Sequence, residues 1–116
     1  MPIVGAGGGT YSFVHVHDAA VATMKALTRG EPGIYNIVDD APAKLSEWLP
    51  AVARLLDAPS PAHMDEALAR EKLGDMLVYI FNEQSGASNL KAKKVLAWEP
   101  TIASWATGFK TLYSAG

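Results

Sequence analysis

The residues best suited to chemistry gather near the N-terminus, where Gly5-Ala6-Gly7-Gly8-Gly9 precedes His15, His17 and Asp18. A glycine run lets backbone N–H groups approach a phosphate closely. A dinucleotide fingerprint, however, requires G-x-G-x-x-G after a strand and at the start of a helix. Counted from Gly5, the third glycine position is Thr10, and a strand-like run follows instead of a helix. A Walker loop is excluded as well, because no Lys-Ser or Lys-Thr stands at the required spacing. The run is therefore expected to be a flexible connection or a place of tight backbone packing.

On a strand, His15 and His17 project from one face, and with Asp18 beside them they form a candidate metal set. The competing expectation makes Asp18 the N-cap of the next helix and leaves both histidines packed or exposed. Asp39-Asp40 could act as a carboxylate pair, but adjacent acids before Pro42 read as a solvated turn. Lys91, Lys93 and Lys94 read as a solvated basic face. No G-x-S-x-G elbow occurs, and no tyrosine is followed four residues on by lysine: Tyr11 leads to His15, Tyr35 to Asp39 and Tyr79 to Glu83.

These residues need elements to hold them. Tyr11-Ser12-Phe13-Val14-His15-Val16 alternates and is rich in β-branched and aromatic side chains, which predicts a strand. A helix is expected over Ala19–Arg29, ended by Gly30, and a second strand over Ile34–Val38. Strand, helix and strand with short links make a βαβ unit with parallel strands. Trp48, Leu49, Val52, Leu55 and Leu56 then mark a helix with Ser46 as N-cap and Pro50 in its first turns. A longer helix is predicted from Asp65 to Asn82, with Gly74 as its weak point, and another through Leu96 capped by Ser88 or Asn89. Trp105, Phe109, Leu112 and Tyr113 mark the last helix. The expected class is α/β: a βαβ unit with two parallel strands followed by about four helices, in one domain spanning 1–116. Trp48, Trp98, Trp105, Phe81 and Phe109 are expected to pack in the core.

Composition narrows the function. The chain has 116 residues, ten Lys+Arg against twelve Asp+Glu, and no cysteine. A chain of this length buries roughly two-thirds of its unfolded surface, so a core can form without staples. The slight acidity argues against a nucleic-acid partner. The lack of cysteine removes thiolate nucleophiles, disulfides and cysteine metal sites, and suits a reducing compartment. No apolar run approaches the roughly 18 residues of a membrane span, and no signal peptide is visible, so a cytoplasmic location is expected. Two strands among several helices would leave open sheet edges to be covered.

Six segments together resemble a known family. These are Tyr-Ser-Phe-Val-His-Val-His-Asp-Ala-Ala (11–20), Gly-Ile-Tyr-Asn-Ile-Val-Asp-Asp-Ala-Pro (33–42), Glu-Trp-Leu-Pro (47–50), Ser-Asn-Leu-Lys-Ala-Lys (88–93), Leu-Ala-Trp-Glu-Pro (96–100) and Ser-Trp-Ala-Thr-Gly-Phe (104–109). In this order and with these gaps the chain resembles the C-terminal, substrate-binding part of NAD-dependent epimerase/dehydratases, within the extended and atypical short-chain dehydrogenases/reductases. The resemblance implies a partial Rossmann-type fold that begins after the catalytic tyrosine and includes a late strand at the edge of the Rossmann sheet. The glycine fingerprint and the Tyr-x-x-x-Lys of that family are both missing, so the N-terminal dinucleotide-binding half is absent from this sequence.

What the resemblance implies for function is a substrate-binding region that is not catalytic by itself, with Tyr11, His17, Ser88 and Asn89 as candidate substrate-binding residues and no catalytic or cofactor-binding residue of its own. No cofactor is expected for this chain alone, and NAD(P) only where a Rossmann half is supplied. Tyr11 stands where relatives acting on nucleotide-linked sugars commonly carry a phosphate-binding arginine, and Gly86-Ala87 lacks a second one, which disfavours a nucleotide-sugar substrate. Expected partners are a small-molecule ligand and either the missing Rossmann domain or further copies of the chain, with neither nucleic acid nor membrane. Two alternatives remain: a stand-alone, homo-oligomeric binding module on the same fold fragment, and a small metal-dependent enzyme using His15, His17 and Asp18.

Overall fold

A computed structural model describes residues 1–114. In chain order the elements are β1 (Ile3–Val4), β2 (Thr10–Tyr11), α1 (Val16–Ala26), β3 (Ala43–Lys44), α2 (Leu45–Leu55), β4 (His63–Met64), α3 (Glu66–Leu73), α4 (Asp75–Asn82), α5 (Leu90–Leu96) and α6 (Trp105–Ser114). The class is α/β, with helices dominating and a small parallel sheet. No helix among the described residues is long and apolar enough to cross a membrane.

The residues cluster into two compact units. The first comprises Met1–Tyr11, Ala43–Gly86 and the chain from Phe109 on; the second comprises Ser12–Pro42 and Ala87–Gly108. In the first unit β1 pairs parallel with β4, Ile3 opposite His63 and Val4 opposite Met64. β2 pairs antiparallel with β3, Thr10 opposite Lys44 and Tyr11 opposite Ala43. Val4, Leu45, Ala69, Val78 and Phe81 form the core, and Tyr11, Trp48, Leu49 and Met64 pack around it. The second unit has its own core of Ala22, Ala92, Leu96 and Trp98, closed by Val14, Val21, Tyr35 and Ile37. Apolar burial of this kind contributes roughly 25 cal/mol per Å².

The parallel pair is thus real but is built from other segments than 11–16 and 34–38. Extended pairing stops at Tyr11 because the chain turns into α1, whose N-cap is His15. Over 34–38 no ladder forms among the described residues: the Ile34 carbonyl accepts from Lys91 Nζ and the Val38 carbonyl from Asn89 Nδ2. One backbone bond, Asp39 N–H to the Phe13 carbonyl at 2.5 Å, links the two segments. Their alternating apolar side chains serve packing, with Val14, Tyr35 and Ile37 on the core.

Helix ends also differ from the periodicity reading. The helix expected over 65–82 is two, because Gly74 takes φ 88° and ψ 164°, outside the helical region. Asp65 caps α3 by accepting from the N–H groups of Ala67 and Leu68. Arg70 bridges the break, reaching Glu66 at 2.7 Å and Asp75 at 2.9 Å. α2 starts at Leu45 after Lys44, which makes no side-chain cap bond, so Ser46 lies inside the helix. Pro50 consequently falls in the second turn, where its missing N–H removes a bond to Ser46.

Candidate functional site

The glycine run folds back onto the end of α4. Gly5 N–H donates to the Met64 carbonyl, Gly7 N–H to the Val4 carbonyl and to Asn82 Oδ1, and Gly9 N–H to the Phe81 carbonyl. A Cβ on Gly9 would lie 2.8 Å from the Phe81 backbone and closer still to the Ile80 carbonyl oxygen. The glycines therefore serve close packing, and three of the N–H groups that a phosphate would need are already bonded within the protein. The run leads into β2, not into a helix, so it does not fit a dinucleotide.

His15, His17 and Asp18 do not converge on a metal. The expectation rested on strand geometry, whereas His15 is the N-cap of α1 and its Nδ1 accepts from the His17 N–H at 3.1 Å. His17 itself is exposed on the first turn of that helix. Among the described residues no group of three or more metal-ligating side chains is placed to hold an ion.

Asp18 is not the helix cap either. Its side chain is buried and accepts from Thr101 Oγ1 at 2.6 Å and Thr101 N–H at 2.9 Å on one oxygen, and from Ile102 N–H at 2.9 Å on the other. Its carbonyl accepts from Trp98 Nε1 at 2.9 Å. Burial alone pushes this carboxyl up, but the Thr101 hydroxyl, the Ile102 and Thr101 N–H groups and nearby His17 outweigh it, and the group is held below its ordinary value. Asp18 is thus the polar centre of the second unit, fastening the start of α1 to the segment after Trp98.

A cleft lined by carboxylates, an amide and an ammonium lies in the second unit. It is an open cleft of about 410 Å³ between the turn at Asp39, Asp40 and Pro42 and the start of α5 at Ala87, Ser88, Asn89, Leu90 and Lys93. Asn89 holds the two sides together: its Nδ2 donates to the Val38 carbonyl at 2.9 Å and to Asp40 Oδ1 at 2.8 Å. Lys93 Nζ stands 2.8 Å from the same Asp40 oxygen and 3.6 Å from Glu99. Bonds from Asn89 and Lys93 lower the Asp40 carboxyl, and the Asp40 carboxylate in turn raises the Lys93 ammonium.

Asp39 is the opposite case. It is 3% exposed, and burial is the main cause that raises its carboxyl, with the Asp40 charge adding to it. Bonds from the Ala41 and Trp105 N–H groups offset only part of this. The expected solvated turn is therefore half buried, while of the expected solvated lysines Lys91 and Lys94 are exposed and Lys93 is partly buried. Lys91 bonds the Ile34 carbonyl at 2.8 Å with its Nζ 4.5 Å from the Tyr35 ring centre, and Lys93 pairs as above. No signal local to either segment reveals this, since the partners are some 50 residues apart in sequence.

Of the four candidate substrate-binding residues, Ser88 and Asn89 come together in this cleft. Ser88 is exposed, and its Oγ accepts from the Leu90 N–H at 3.3 Å. Tyr11 and His17 are not among the residues that line the cleft. Tyr11 belongs to the first unit, where its ring lies 5.3 Å from that of Trp48 and burial raises its hydroxyl. His17 points outward on α1 and lines no part of the cleft. Asp39, Asp40 and Lys93 also line the cleft, although their local sequence reads as a solvated turn and a solvated basic face.

No family model matches the sequence. A curated protein, the 3-diazoavenalumate denitrifying reductase of a Streptomyces species, is 38% identical over 108 residues, which are 93% of this chain and 36% of that protein. The chain thus spans about a third of that relative's length. Among solved structures, a conserved protein of unknown function from Silicibacter pomeroyi superposes over 99% of this chain and 41% of its own, with a TM-score of 0.79 and 23% identity. UDP-glucose 4-epimerase from Thermotoga maritima superposes over 97% and 34%, with a TM-score of 0.71 and 20% identity. UDP-glucuronic acid 4-epimerase from Bacillus cereus, solved with NAD, superposes over 97% and 33%, with a TM-score of 0.64 and 19% identity. Over nearly its whole length the chain has the fold of a part, about a third, of these 4-epimerases, which belong to the NAD-dependent epimerase/dehydratases.

Proposed function

We propose that this chain is the substrate-binding part of an epimerase/dehydratase-like reductase, and that it holds a small molecule without holding the dinucleotide. The observation that carries the reading is the glycine run bonded into the first unit, in a chain whose fold recurs inside NAD-dependent epimerases. A Rossmann half, in the same protein or another, supplies NAD(P) and the reacting groups. The cleft of Asp39, Asp40, Ser88, Asn89 and Lys93 receives the ligand. A nucleotide-sugar diphosphate suits it poorly, because two carboxylates line the cleft and its ammonium is already paired with Asp40. The Streptomyces relative is named for 3-diazoavenalumate, and a small ligand of that kind is the one we assign to the cleft.

Calorimetry of the isolated chain with NADH and NADPH is expected to show no binding, and sub-millimolar affinity for either would overturn the reading. NMR titration with avenalumate is expected to shift the amides of Ala87–Leu90, and UDP-glucose is expected to leave them in place. Shifts with UDP-glucose alone would reverse the substrate assignment.

A second reading, self-association, is favoured by the apolar side chains of the second unit that face solvent: Met24 at 67%, Leu27 at 76% and Ile34 at 84% exposure. Light scattering over a concentration series decides it, a constant monomer mass at high concentration removing the reading.

A further inference from the structure

We draw no further inference here: the strongest candidate, the apolar cleft of about 550 Å³ beside α2, lined by Met1, Leu49, Val52, Leu56, Pro59 and Met64, offers no charged or hydrogen-bonding side chain to select a ligand, and nothing in the structure shows what covers it.

Discussion

Asp18 holds three hydrogen bonds from Thr101 and Ile102 on a buried carboxylate, so truncating it strands two backbone N–H groups and a hydroxyl. Asp18→Ala is expected to cost about 2–3 kcal/mol in urea unfolding, the penalty of leaving buried donors unpaired. A loss below about 0.5 kcal/mol would contradict the role. The sign of the pH effect follows from the lowered carboxyl. The Asp18 contribution is fully present above its unfolded value, near 3.8, and is lost as pH falls through the lower folded value. Asp39 works the other way. Its folded carboxyl is raised, so it favours folding while protonated and weakens it as pH climbs from the unfolded value, near 3.8, through the raised folded one. Asp39→Asn keeps an oxygen for the Ala41 N–H and removes that ionisation. Its stability is expected to be flatter than the parent's across this window. An unchanged pH profile would show that Asp39 does not titrate there.

At the level of elements, helix stops decide where side chains land. α5 ends at Ala97, which takes the left-handed conformation at φ 52°. An L side chain costs energy there that glycine does not, so Ala97→Gly is expected to stabilise the protein by about 0.5–1 kcal/mol. The carbonyl that accepts from Lys25 at 2.6 Å is backbone and survives the change. A thermal melt reads the result, and a lower midpoint would mean that the methyl group packs usefully. Gly74 shows the same physics in the sequence itself. Its turn divides the helix expected over 65–82, and the periodicity of Leu73, Met76, Leu77 and Ile80 across the break is what hid the division.

For the molecule as a whole, each unit carries its own apolar centre, and Trp98 is the largest fully buried side chain among the described residues. Its ring fills the second core while its Nε1 bonds the Asp18 carbonyl, so packing and polar fastening share one residue. Trp98→Ala is expected to cost about 3–5 kcal/mol. In a domain with roughly 5–15 kcal/mol of total stability that is a large share, visible as an early urea transition. A midpoint shift within error of the parent would place the core elsewhere.

The sequence by itself determined the α/β class, five of the helical regions, the failure of the glycine fingerprint and the likeness to an epimerase/dehydratase. Helical period, glycine spacing and motif order are all local properties of a chain. Of the residues the sequence offered for binding, Tyr11, His17, Ser88 and Asn89, the last two line one cleft and the first two do not. Tertiary structure alone decided that Asp18 fastens Thr101 and Ile102, that Asp39 is buried, that Lys93 meets Asp40, and that β1 pairs with β4 while 34–38 forms no ladder. Each of these depends on which distant group satisfies a buried carboxylate or carbonyl. A sequence pattern shows that a polar group needs a partner, and only the fold selects which partner arrives.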